Sequence, residues 1–208
     1  MKKLVTMSLL GVACVVGLTG CATTGFEQAN KAADSIQKTK NELYAGHNQV
    51  TVVLNALDQV MNSQPAYVSD AYKEFVKQAG RLEKQGYKTG KIADNMRRKG
   101  ASYFGGWGEE VAMMRSSSAR EESAKRLVSA NKDYERIEAS VSVVKSVYKP
   151  FLNDLYDIQR SLNHDLTKKG LTAVSAIVKK AKEDGVKLQK SIADSGKVLN
   201  DVSKGLRR

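Results

Sequence analysis

The chain has 208 residues, of which only 6% are aromatic and two are prolines, and it carries a formal charge of +12. Two cysteines and two histidines leave little material for a disulfide framework or a metal cluster, and a composition rich in Ala, Lys, Ser, Val and Leu favours helices over a sheet sandwich. A basic excess suits nucleic acid or an anionic surface. The first twenty residues argue against the former.

Met1-Lys2-Lys3 places two cations before an apolar run, LVTMSLLGVACVVGL, over residues 4–18. That run suits the hydrophobic region of a signal peptide and falls short of the ~20 residues a spanning helix needs. Leu18-Thr19-Gly20-Cys21 follows directly. It resembles the lipobox of bacterial lipoproteins, in which Leu18, Thr19 and Gly20 are what the signal peptidase recognises and Cys21 is the residue that receives lipid. The resemblance implies export, cleavage before Cys21 and a covalent lipid on its thiol. One acyl chain holds a protein only marginally at a bilayer, whereas two or more hold it stably. Ala22, in place of Asp, implies sorting to the outer membrane, facing the periplasm. Cys14 leaves with the signal peptide, so the mature chain has no second thiol and its stability rests on packing. Loss of Lys2 and Lys3 with residues 1–20 lowers the formal charge from +12 to +10.

Residues 21–25 read as a lipidated tether and residues 26–208 as one helical domain. Apolar positions step by four and three along most of it. A first helix is predicted over residues 26–61, with Ala29, Ala33, Ile36, Lys40, Leu43, His47, Val50, Leu54, Leu57 and Met61 on its seam. Asn62-Ser63-Gln64-Pro65 ends it, because proline cannot continue a helix without losing a hydrogen bond. A second helix is predicted over residues 66–98. Its seam is firm at Val68, Tyr72, Phe75, Ala79 and Leu82, then thins at Gly86, Thr89, Ala93 and Met96. A break is expected at Gly100 and again at Gly105-Gly106, with Tyr103, Phe104 and Trp107 closing one end of the bundle. A third and longest helix is predicted to begin near Trp107. Ser116-Ser117-Ser118 weaken its stripe, and it passes through Pro150 without losing phase, which predicts a kinked but continuous helix. After Asn163-His164-Asp165 a fourth helix is expected from residues 167–171 onward, with Val178, Ala181, Leu188, Ile192 and Leu199 on its seam. The expected fold is all-α, an elongated antiparallel bundle or coiled coil of about four long helices.

Residues 107 to about 199 resemble a bacterial family of uncharacterised coiled-coil proteins classed as a domain of unknown function. The features that carry this are Trp107-Gly108-Glu109-Glu110, Arg115-Ser116-Ser117-Ser118, Pro150 in mid-helix and Leu162-Asn163-His164-Asp165-Leu166. Gly105-Gly106 is a local departure. The resemblance implies a helical fold and supplies no mechanism.

No arrangement of residues points to catalysis. Ser116–Ser118 lack the G-x-S-x-G turn of a nucleophilic serine. Gly86-Tyr87-Lys88-Thr89-Gly90-Lys91 lacks the spacing and preceding strand of a phosphate loop. His47 falls on a helix seam, where a core role is expected, and His164 lies near a helix C-terminus, where a histidine suits the macrodipole and can cap carbonyls. Lys73, Lys77, Arg81, Lys84, Lys88 and Lys91 lie along one helix face, which reads first as a solvated surface. No cofactor, metal site or nucleic acid is expected. The function expected is that of a membrane-anchored envelope lipoprotein acting as a structural or protein-interaction module, through a partner or self-association. The alternative is a binder of anionic lipid or an envelope polymer through the basic faces.

Overall fold

The computed structural model describes residues 24–206, all of it helix and short connections. The elements are α1 (Gly25–Asn62), α2 (Val68–Met113), α3 (Ser117–His164), α4 (Lys168–Ala173) and α5 (Ser175–Leu206). Thr24, Leu206 and everything between them form a four-stemmed bundle; Leu18, Thr19, Gly20 and Cys21, the expected signal and lipidation residues, lie outside the described residues, as do Arg207 and Arg208.

α1 opens on a capping box. The Thr24 hydroxyl accepts from the Glu27 N–H at 3.2 Å while the Glu27 carboxylate accepts from the Thr24 N–H at 3.2 Å. Two N–H groups that a helix start would leave open are thereby satisfied. The helix thus begins at Gly25, inside the stretch expected to be tether. Its predicted seam is buried at Ala29, Ala33, Ile36, Leu43, Val50 and Leu57. A second buried row, Ala32, Ser35, Thr39, Val53, Ala56 and Val60, lies beside it. One stripe faces one partner; α1 has two, because it packs on both α2 and α5.

Each stem contacts two neighbours, in the ring order α1, α2, α3, α5. All neighbours are antiparallel. Along α1 and α2, Gln49 donates to Gln78 and Gln85 donates to Glu42, so position falls on one helix as it rises on the other. Along α1 and α5, Lys40 donates to Asn200 and Gln189 to Thr51. Ser140 pairs with Ser195, and Lys180 with Asp154, between α3 and α5. With 48 residues, α3 runs about 70 Å at ~1.5 Å per residue. Phe75, Phe151, Leu155, Ile158 and Leu162 are fully buried and fill the half of the bundle near the α1–α2 turn.

Two predicted boundaries are corrected. α2 continues unbroken through Gly100, Gly105 and Gly106 to Met113, and the turn comes at Met114–Ser116 instead. Each glycine costs a helix ~1 kcal/mol relative to Ala. Packing offsets this locally: a Cβ at Gly100 would overlap the Tyr134 phenol, and Phe104 beyond it is buried with its ring 5.4 Å from that of Tyr134. The serines are the true boundary. Met114 is extended, and Ser116 is the N-cap of α3, its hydroxyl accepting from the Ala119 N–H at 3.4 Å. The expected fourth helix is divided at Val174 into the short α4 and the long α5. α3 is continuous through Pro150, as the unbroken phase of its stripe predicts.

Candidate functional site

The thin half of the second helix becomes a cleft. Between Leu82 and Met96, α2 presents Gly86, Gly90 and Ala93 toward α3, which answers with Ala139 and Ser142. α2 and α3 pack less closely than α1 and α2, and nothing lies within 4 Å of where a Gly90 Cβ would stand. A cavity of 770 Å³ results. Its inner wall comes from the opposite pair of helices and from α2: Leu43 and Val50 of α1, Leu188 and Ile192 of α5, Leu82 and Met96 of α2, all of them buried. Charged groups stand only at its mouth.

Tyrosines fasten the same seam. The Tyr148 hydroxyl donates to the Leu82 carbonyl at 3.1 Å, its ring lying over Gly86 where a Cβ would overlap it. The Tyr134 hydroxyl donates to the Met96 carbonyl at 2.5 Å over Gly100. Tyr72 donates to the Gln159 carbonyl at 2.9 Å, and Tyr156 to Glu83. Tyr148 stands in the wall of the cleft, and the α3 residues that line it run from Glu138 to Leu152. Fourteen helical residues separate them, about 21 Å at ~1.5 Å each. Burial raises the pKa of both phenols well above the usual range, helped by the negative charge of Glu138 at Tyr134 and by Tyr156 and Glu83 at Tyr148. Burial and the hydrogen bond to Glu83 push Tyr156 up to about 12.

At the mouth, Arg97 pairs with Asp94 at 3.2 Å. Lys145 sits on the rim of the cavity and also lines an adjoining surface depression with Ser142, Ser146, Lys149, Pro150 and Asn153. Neither Lys145 nor Lys149 forms an ion pair among the described residues, and the Ser142 hydroxyl has no hydrogen bond there.

The other residues singled out in the sequence are spread apart. His47 is half-buried on α1, its carbonyl accepting from the Thr51 hydroxyl at 3.5 Å. His164 is the last residue of α3, the basic side chain of its last turn as expected, and is exposed, with Asp165 at the C-cap. Among the described residues no group of three His, Cys, Asp or Glu is placed to hold a metal. Lys40 reaches Asn200 at 3.3 Å. The glycine-rich stretch 86–91 is helix, not loop, and its Lys91 lies 4.5 Å over the Tyr87 ring. Trp107 is packed: its indole N–H donates to Ser123 at 3.0 Å, and Tyr103 stacks against both Phe104 and Trp107. Much of the basic face is neutralised within one helical turn or by α1, Lys73 by Asp70, Lys77 by Glu74, Lys88 by Glu42. Burial alone would raise the Glu42 carboxyl, yet hydrogen bonds from Lys88 and Gln85 hold it below its ordinary value. Thinning of the second seam is the sequence signal for the cleft; its inner wall on α1 and α5 has no local signal.

No helix among the described residues is long and apolar enough to cross a membrane. A family model described as a protein of unknown function (DUF2959) matches residues 20–202. The match spans nearly the whole chain, extending the likeness of the third and fourth helices to the first two, and the chain belongs to that family. No curated protein and no solved structure matches it.

Proposed function

We propose that this DUF2959 protein is a lipoprotein of the cell envelope, anchored through lipid on Cys21, whose bundle works by binding rather than by catalysis. The observation that carries the reading is the sequence Leu18-Thr19-Gly20-Cys21 after an apolar run and before a helix start. The capping box at Thr24 and Glu27 supports it geometrically, since the helix then begins four residues after the lipidated cysteine and holds one end of the bundle close to the bilayer. Ala22 favours the outer membrane, facing the periplasm. A protein partner or a second copy is the expected ligand of the long helix faces. Fractionation of cells expressing the wild type and Cys21→Ala, with crosslinking, tests this. The wild type is expected in the membrane fraction and the variant to accumulate as an unprocessed precursor. A cleaved Cys21→Ala species that stays with the membrane would overturn the anchor.

A second reading is favoured by Lys84, Arg98 and Lys99, which form no ion pair among the described residues: contact with anionic lipid or an envelope polymer. Binding of that kind falls steeply as salt shortens the Debye length from ~10 Å at 0.1 M toward ~3 Å at 1 M, whereas apolar helix-to-helix association does not.

A further inference from the structure

We propose that the α2–α3 cleft binds one single-chain anionic amphiphile, the acyl chain inside the cavity and the head group, carboxylate or phosphate, on Lys145 and Lys149. The size fits. Ligand clefts and cavities run from ~300 to ~1,000 Å³, and the 770 Å³ of this cleft lies within that range. The shape fits too. A hydrocarbon core ~30 Å thick gives each acyl chain ~15 Å, within the ~21 Å that α3 runs between the lining residues Glu138 and Leu152.

Polarity is graded in the direction an amphiphile needs. Leu43, Val50, Leu188 and Ile192 form the far wall, deep in the bundle, and an apolar cavity of this kind favours an apolar guest over water. The charges lie at the opening, and they are not equivalent. Asp94 is neutralised by Arg97, and Glu83 accepts from Tyr156. Glu138 stands about 10 Å along α3 from Lys145, seven residues at ~1.5 Å. Lys145 and Lys149, one turn apart, have no carboxylate partner among the described residues, and Ser142 and Ser146 stand beside them in the depression at Pro150. An anionic head there gains two cations and the Ser142 hydroxyl as donor without displacing an existing ion pair.

The inference does not depend on the lipid anchor, and it is tested on the purified mature chain from residue 21 carrying Cys21→Ala, which contains every described helix. Palmitate, palmitoyl lysophosphatidate and methyl palmitate are titrated by calorimetry. The first two are expected to bind at one per chain, and the neutral ester at least tenfold more weakly. Gly90→Leu, at a position where a Cβ meets nothing within 4 Å, is expected to weaken palmitate at least tenfold with unchanged helical circular dichroism. Ala93→Leu serves as an independent plug. Lys145→Glu with Lys149→Glu is expected to weaken palmitate about tenfold and leave methyl palmitate unchanged. Binding by palmitate without lysophosphatidate, or the reverse, names the head group. Undiminished binding in both plugged variants overturns the cavity as the site, equal binding of ester and acid overturns the anionic head, and absence of binding by all three overturns the proposal.

Discussion

α2 makes two seams, and they are built differently. Toward α1, Phe75, Gln78, Ala79 and Leu82 are buried, Gln49 donates to Gln78 and Gln85 to Glu42, and a Cβ at Gly46 would meet the Gln85 side chain at 4.0 Å. Toward α3, the small residues lie on both helices, and small opposed to small leaves space. The difference teaches that glycine and alanine tighten a helix pair only where the partner has bulk to insert. Gly86 and Gly100 satisfy that condition under Tyr148 and Tyr134, while Gly90 and Gly105 have nothing within 4 Å of a Cβ.

The comparison is broken most severely at the tight end. Phe75→Ala empties a fully buried position and should cost ~3–5 kcal/mol, read as a lower urea midpoint with an unchanged slope. If the loss is below ~1 kcal/mol, the tight half is not close-packed. At the open seam the sign reverses. Gly90→Ala should raise stability by up to ~1 kcal/mol, because the helix gains propensity and the Cβ meets no atom, whereas Gly86→Ala should destabilise by displacing the Tyr148 ring. Equal effects at the two glycines would erase the distinction between them. Tyr148→Phe should cost ~0.5–1 kcal/mol, a single hydrogen bond to a carbonyl that keeps its helical partner.

The smallest effect at neutral pH is the alkaline one. In the bundle Tyr134, Tyr148 and Tyr156 hold their protons more tightly than at the ordinary value of 10.0. Their raised folded pKa means the stability they contribute is fully present below pH 10 and is lost as pH rises above it, with Tyr156 ionising in the fold at about 12. Circular dichroism followed with tyrosinate absorbance should show unfolding in that window, moved to higher pH when all three tyrosines are changed to Phe. An unmoved transition would mean the seam is not held by these phenols.

The stems were legible in the sequence for a plain reason. A stripe of period 3.6 needs only local order to be read, and the one over 29–57 and the one through Pro150 each predicted a helix that forms. Gly100 and Gly105-Gly106 misled because propensity is a local quantity, and at Gly100 its cost is offset by the Tyr134 ring from a distant part of the chain. Ser116 read only as a weak point in a stripe, because a cap is recognised only when the turn before it is known. The candidate site was half legible: the weak run Gly86, Thr89, Ala93 is in the sequence, but nothing local joins it to Leu188 and Ile192, a hundred residues on.

By itself the sequence determined the helical class and the antiparallel order that short connections impose. Only the tertiary structure decided which stripe met which. Burial depends on what lies opposite, and a residue cannot carry that information alone; so the same small side chains became close contact on one side of α2 and an open apolar cleft on the other.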